Sequence, residues 1–313
     1  MDVVITGAGG FIGSNMAKFL LEEGHRVHAI DHAEPTDPFR VGIWNACQNK
    51  SVVDLTTTEP VIPNADMVIH LAANMGGVGF FHKHDYQPYI DNSRITFNVL
   101  SAISRWEVPT SFVASSACVY PTHLQMDERH PALLHEDLIE FGWPDQMYGR
   151  EKLMLLRLAE RHEQDVRVGI LHTVYGVGQE CEGERMKFPT AAATKALKAR
   201  DTGFVKMWGN GEQKRSYLYI DDAVNKIWSI LNDDYDGPVN VGYQGAISCN
   251  EVQRLCLQLA GVPEAKIYYD ESEPSGVLGR DCDNTKFNDL YGDLALVNYA
   301  EGFERLINWL ETR

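Results

Sequence analysis

Tyr148 and Lys152 stand four residues apart in MYGREK, a spacing that puts both side chains on one face of a helix. A phenol is a weak base near neutrality, with a free pKa of about 10. A neighbouring ammonium stabilises the phenolate and brings it toward working range. The pair suits removal of a hydroxyl proton while a hydride leaves the same carbon. The lysine can also hold the ribose of a nicotinamide. Alone, the pattern is common; its weight comes from what precedes it.

TGAGGFIG, residues 6–13, follows an apolar run and opens an amphipathic one. Gly7, Gly10 and Gly13 permit a tight turn, close approach to a pyrophosphate and close helix–strand packing. Phe11 and Ile12 begin the helix, whose first N–H groups and dipole attract phosphate. The next strand, RVHAID, ends in Asp31. A carboxylate there accepts hydrogen bonds from adenosine ribose hydroxyls and repels a 2′-phosphate, which selects NAD over NADP. Asp54, after the third strand, is a candidate partner for the adenine amino group, with a solvated loop aspartate as the alternative.

These residues need a scaffold, and the apolar pattern supplies one. DVVITGA, RVHAID, SVVDLT, DMVIHLAA, TSFVASSA and VRVGILHTVYG read as strands, with a helix over about 147–163 before the last. Buried Val/Ile-rich strands alternating with helices predict an α/β fold, a Rossmann-type doubly wound parallel sheet. We assign residues 1–177 to an NAD-binding domain, with a late strand and helix returning from 212–245. Residues 178–313 form mostly a smaller substrate-binding α/β lobe. Within it, Ser248 and Glu251 are spaced as a capping box. No Pro/Ser linker separates the lobes, so a cleft between them is the expected ligand position.

The 313-residue chain is 44% hydrophobic, 23% charged and carries a formal net charge of −16. Such acidity excludes a broad nucleic-acid surface, though not a phosphate ligand held by a few local cations. No run approaches the roughly 20 apolar residues of a membrane span. The six cysteines form no CxxC pair, and nothing has the spacing of a metal site. They read as reduced, in a cytoplasmic protein.

Taken together, the glycine turn, HLAA at 70–73, Ser116, the Tyr148–Lys152 pair, WGNGEQKRSYLYIDD at 208–222 and PVNVG at 238–242 resemble the extended short-chain dehydrogenase/reductases that act on nucleotide sugars. The likeness runs nearly end to end. It implies that Leu71, Ala72 and Ala73 touch the cofactor, and that Ser116 and Tyr148 bracket the sugar C4 hydroxyl. It also leaves one residue to explain. Cys118 follows Ser116 by two, so on a strand end both side chains would point the same way. Oxidation at C4 acidifies the C–H bonds at C3 and C5, and a thiolate is a competent base for them. Lys187, in ERMKFP, is the candidate acid.

HLAANMGGVGF, SSACVYP, ERMKFP, WGNGEQKRSYLYID and GRDCDN are together similar to the GDP-mannose 3,5-epimerases. In that family the positions matching Cys118 and Lys187 are the acid/base pair. Those matching Arg215 and Arg280 hold the nucleotide end of a GDP-hexose. The resemblance further implies that Met75, Gly76, Gly77, Gly79 and Trp208 line the substrate, and that the chain is a homodimer through helices near 91–105 and 147–163. Two features depart from the pattern: His172-Thr173 replaces the usual His-Asn, and residues 122–146 match poorly.

Four other readings compete. A GDP-4-keto-6-deoxymannose 3,5-epimerase/4-reductase would show histidine in place of Lys187 and a basic residue in place of Asp31. A 4,6-dehydratase would show Asp-Glu where Cys118-Val119 stands. A simple C4 epimerase needs no Cys/Lys pair. A non-catalytic NAD-binding regulatory protein would have little reason to keep Tyr148 and Lys152.

Overall fold

The computed structural model describes every residue except Asp145, Asp236 and Ser275, so one residue of the poorly matching 122–146 stretch lies outside the described residues. A seven-stranded sheet is its centre. Across the sheet the strands run Pro238–Val241, Asp165–Leu171, Thr110–Ser116, Met67–His70, Asp2–Thr6, Arg26–Asp31, Asn49–Val52. Every neighbouring pair is parallel. The order reverses beside the first strand, and ligands of open α/β sheets bind outside the carboxyl ends of strands at such a switch point.

The strands are buried because helices cover both faces. Phe11–Glu22 buries Met16, Ala17 and Leu20, and Gly24 closes its far end at φ +78°. On the opposite face Tyr86–Arg105 and Gln146–Ala159 pack against each other and the sheet. The core on the first face runs without a break from Val3 and Met16 through Tyr217 and Ile227 to Phe303 and Leu306. The two ends of the chain therefore share one apolar interior.

Two expectations about strands need correction. VRVGILHTVYG is two strands, not one: Asp165–Leu171 stays in the main sheet, whereas Thr173–Tyr175 pairs with Tyr217–Tyr219. The third strand is Asn49–Val52, ending before Asp54. It is a mostly exposed edge strand, so it lacks the apolar run that marks the others. The helix expected over 147–163 spans Gln146–Ala159.

The second lobe is built on Phe188–Thr202, Cys249–Leu259 and Tyr299–Glu311, which pack on one another. The capping box is present: Glu251 N donates to Ser248 Oγ at 3.1 Å, and Ser248 N donates to Glu251 Oε2 at 2.7 Å. A small sheet then joins distant segments. Lys214–Arg215 lies between Ile247–Ser248 and Gly279–Cys282, and the latter pairs with Leu133–Leu134. Its register sets Arg215 directly beside Arg280.

Candidate active site

The glycine turn is shaped by close approach. Gly7 takes φ +76°, and a Cβ there would lie 2.7 Å from Ala72 N. A Cβ on Gly13 would strike the Gly7 carbonyl. Gly10 N donates to that same carbonyl at 3.0 Å. The helix beginning at Phe11 and Ile12 has Gly10 as its N-cap, with no side chain over its first N–H groups. Asp31 is buried at the end of its strand: Oδ2 accepts from Gly9 N at 2.9 Å and Oδ1 from His32 N at 2.7 Å. Leu71 N donates to Thr6 O, which holds Leu71, Ala72 and Ala73 across the turn from the glycines. A side-chain-free turn, bare helix N–H groups and a fixed carboxylate fit the pyrophosphate and ribose of NAD. Asp54 is exposed, and its Oδ1 accepts from Thr56 N and Thr56 Oγ1 at 2.9 and 2.7 Å. Those bonds hold its carboxyl below the ordinary range.

Tyr148 and Lys152 are both buried on the helix Gln146–Ala159, and Lys152 Nζ lies 5.8 Å from the Tyr148 ring centroid. Ser115 Oγ donates to Lys152 O at 3.2 Å, tying this helix to the strand that ends in Ser116. Lys152 has a neighbour that the YxxxK pattern hides. Glu151 Oε2 is 3.2 Å from its Nζ, with both side chains almost fully enclosed, and Thr96 Oγ1 donates to Glu151 Oε1 at 3.0 Å. Next to this pair, burial and the Lys152 charge push His70 down to about 3; its Nδ1 is 2.7 Å from Thr6 Oγ1.

Cys118 does not continue the strand as expected. Ser116 is the last strand residue, and Ala117–Val119 form one turn of 3-10 helix capped by Ser116 Oγ, which accepts from Cys118 N at 3.3 Å. The sulfur is placed by that turn. The turn in turn sits on the helix Gln146–Ala159, where the Cys118 carbonyl occupies the space a side chain on Gly149 would need. Around the sulfur, Met75, Phe80, Phe81 and Tyr148 form a small apolar cluster, with Phe81 and Tyr148 rings 4.7 Å apart. Arg280 Nη1 lies 3.5 Å from Cys118 Sγ, and its Nε donates to Gln125 Oε1. Arg280 thus reaches the thiol. Arg215 donates from Nη1 to Lys214 O at 2.7 Å and from Nη2 to Val277 O.

Lys187 is half-buried at the N-terminus of the helix Phe188–Thr202. Burial pushes its ammonium below the ordinary lysine range, and the charge of the Cys118 thiolate pulls it partly back. The two residues, 69 positions apart in sequence, are therefore electrostatic neighbours. The glycines of MGGVGF sit where side chains would collide: a Cβ on Gly77 would be 2.9 Å from Met186 O, and one on Gly79 would be 2.9 Å from the Trp208 ring. Gly76 lies against Phe80 in the same way. The structure so brings together Met75, Ser116, Cys118, Tyr148, Lys152, Lys187 and Arg280, and leaves Asp54 at the surface.

His172, at the departure from the family pattern, is a buried neutral group. Its Nε2 is 3.1 Å from Asn240 Oδ1, which also accepts from Tyr120 OH at 2.8 Å. Burial first, then the Arg280 charge, push it down to about 3.

The sequence gives no sign of Glu151, Phe81 or Gln125, and marks Arg185 only as part of the ERMKFP motif around Lys187. Gly149, also missed, left a local signal, a glycine inside a strong helix pattern. Among the described residues no group of three or more His, Cys, Asp or Glu side chains could hold a metal ion, and no helix is long and apolar enough to cross a membrane.

Known proteins resemble this chain in sequence and in fold. GDP-mannose 3,5-epimerase 1 of Oryza sativa subsp. indica is 33% identical over 99% of this chain and 82% of its own length. GDP-mannose 3,5-epimerase of Arabidopsis thaliana is 32% identical over the same shares. The solved structure of MoeE5 in complex with UDP-glucuronic acid and NAD superposes with a TM-score of 0.82 at 26% identity, covering 100% of this chain and 99% of that one. The family model for the NAD dependent epimerase/dehydratase family matches residues 3–242. With its glycine turn, its Tyr148–Lys152 pair and this match in view, the chain belongs to the NAD dependent epimerase/dehydratase family, as an NAD-dependent nucleotide-sugar epimerase.

Proposed function

We propose that this enzyme inverts C5, and C3 with it, of GDP-mannose or a close GDP-hexose. The observation that carries this is the company of Cys118. Its thiol lies beside Tyr148, within 3.5 Å of Arg280, and shares an electrostatic field with Lys187. A plain C4 epimerase has no task for that pair. Lys187 and Asp31 also stand where an epimerase/reductase would be expected to carry histidine and a basic residue.

Tyr148 takes the proton of the C4 hydroxyl, which the Ser116 hydroxyl orients, and Lys152 stabilises the phenolate. NAD held by Gly7, Gly10, Gly13 and Asp31 supplies a reversible acceptor for the C4 hydride. The C4 ketone acidifies its neighbours. The Cys118 thiolate removes a proton from C5, leaving an enolate. The Lys187 ammonium protonates the same carbon from the opposite face, so the centre inverts. Burial lowers the affinity of Lys187 for its proton, which favours it as a donor. Arg280 faces the forming thiolate, and a guanidinium there favours the charged sulfur. Arg215 is assigned to the nucleotide end, Trp208 and the glycine segment to the sugar. Tyr148 then gives its proton back to the C4 oxygen, and with bound NAD there is no net redox change overall.

The test is incubation with GDP-mannose in deuterated water. Deuterium should enter at C5, and at C3 for a double inversion. Cys118→Ala should lower that exchange by about 10²–10⁴-fold, the usual range for a general base. Absence of exchange from any GDP-hexose in the native enzyme overturns the reading.

The same reading makes the protein a cytoplasmic homodimer. Tyr86 and Phe97 on the outer helix Tyr86–Arg105 are exposed apolar side chains next to Gln146–Ala159, and no disulfide joins any of the six cysteines. Light scattering on the purified protein should give twice the chain mass.

A further inference from the structure

The segment that delivers Lys187 is tied to the glycine segment by more than proximity. Arg185 Nη1 donates to Met75 O at 2.6 Å, and its guanidinium lies 4.4 Å from the Phe80 ring centroid. Phe80 meets Phe81 edge to face at 5.5 Å, and Phe81 lies on Tyr148 at 4.7 Å. One run of contacts thus leads from Arg185, two residues before Lys187, to the catalytic phenol. Beside it, Glu184 pairs with Lys83 Nζ at 2.9 Å and with His84 Nε2 at 3.5 Å. The absence of a side chain on Gly77 lets the Met186 backbone close against the same segment.

Arg185 is exposed, in a loop that also contains Glu180, Glu182 and Glu184. A guanidinium in such a setting has water and carboxylates to choose from. Instead its contacts are a carbonyl and an aromatic face, both on the segment that packs on Tyr148. Planar stacking with one directed hydrogen bond fixes distance and orientation together.

We propose that Arg185 is a positioning residue for proton transfer, clamping Met75 and Phe80 so that Lys187 stands at a set distance from Cys118 and Tyr148. The proposal rests on the epimerase reading. It separates two steps that share one substrate. Tyr148 and Lys152 are held by their own buried helix and do not need Arg185. Lys187 is held through the clasp. Loosening the clasp moves the acid and leaves the C4 chemistry in place, and displacements of about 1 Å in such sites cost on the order of 100-fold.

The experiment compares two signals from one incubation of the holoenzyme with GDP-mannose in deuterated water. Deuterium at C5 reports proton transfer. Quenching with sodium borodeuteride and locating deuterium at C4 reports the ketone. For Arg185→Ala, C5 exchange should fall about 10- to 100-fold while the trapped C4 ketone, measured at saturating GDP-mannose, holds steady or rises. Arg185→Lys keeps a donor but not the planar stack, and should fall between; it is also the variant to read if Arg185→Ala does not fold. Equal loss of both signals, or undiminished exchange at C5, overturns the proposal. Native enzyme that shows C4 ketone but no exchange overturns the epimerase reading instead, and this proposal with it.

Discussion

Gly10 and Lys187 occupy equivalent places in the chain: each is the N-cap of a helix, and neither covers the helix end with a side-chain hydrogen bond. They are used in opposite ways. At Gly10 the positive end of the helix is bare, and an anion belongs there. At Lys187 the N-cap is a half-buried lysine, whose ammonium burial pushes below the ordinary lysine range. The first arrangement rewards binding. The second sets a half-buried lysine near Cys118. Their supports differ as well. The glycine turn is locked by the close Ala72 backbone and by the buried Asp31 carboxylate, which accepts from Gly9 N. The Lys187 segment hangs from Arg185, Glu184 and other exposed groups. The glycine turn is built into the core, and the Lys187 segment is fastened on from outside.

If that contrast holds, changes in the core-built half should cost stability along with activity, unlike the clasp. The largest effect is expected at Glu151. Glu151→Gln leaves the Lys152 ammonium enclosed without its carboxylate, and removing one partner of a buried pair costs about 3–5 kcal/mol. Urea denaturation measures it; a change under about 1 kcal/mol would mean that the ammonium finds another partner.

Gly13→Ala comes next. Its methyl group meets the Gly7 carbonyl, so the turn must open at a cost of about 1–3 kcal/mol, typical of overpacking. The purified variant should also carry less NAD, read from its 260 nm absorbance. Full cofactor content with native stability would show that the turn is looser than the contrast requires.

The last effect is a slope with pH, not an offset at one pH. His172 titrates at about 3 when folded, against an ordinary 6.5. Below about pH 6.5 the unfolded chain binds a proton that the folded chain refuses. The stability from this group is complete above that pH and drains away as pH falls toward 3, by about 1.4 kcal/mol per pH unit. His70 behaves alike. In His172→Gln the decline in unfolding free energy between pH 6 and pH 4 should be shallower by that amount per unit, whatever the substitution costs at pH 7. An unchanged slope would mean that His172 is not neutral in the fold.

The sheet, its cofactor turn and the Tyr148–Lys152 pair were legible because each is local: apolar runs, glycine spacing and helical periodicity lie within short windows. Residues 165–175 misled because hydrophobicity reports burial, not which sheet does the burying. The chain switches sheets at His172 without a turn signal. Asn49–Val52 was misplaced because an exposed edge strand need not be apolar. Cys118 was found through its motif company, but its 3-10 turn was not, since two-residue spacing fits a strand as well. Arg280 against the thiol, Glu151 against Lys152 and Arg185 against Phe80 were invisible for one reason. Each is a contact whose meaning depends on a second segment or on burial that one charged residue in a sequence does not announce.

The small sheet that sets Arg280 beside Arg215 has a consequence for how the protein is made. Its strands come from residues 133–134, 214–215, 247–248 and 279–282. Synthesis proceeds from the N-terminus, and contacts this far apart in sequence form late. The Rossmann strands through Leu171 can emerge and begin to pair while the ribosome is still at work. Cys118 meets its guanidinium only after residue 280 has emerged. The surroundings of the Cys118 sulfur are thus the last part of the site to be completed, and a nascent chain that has most of its sheet still lacks Arg280 beside that sulfur.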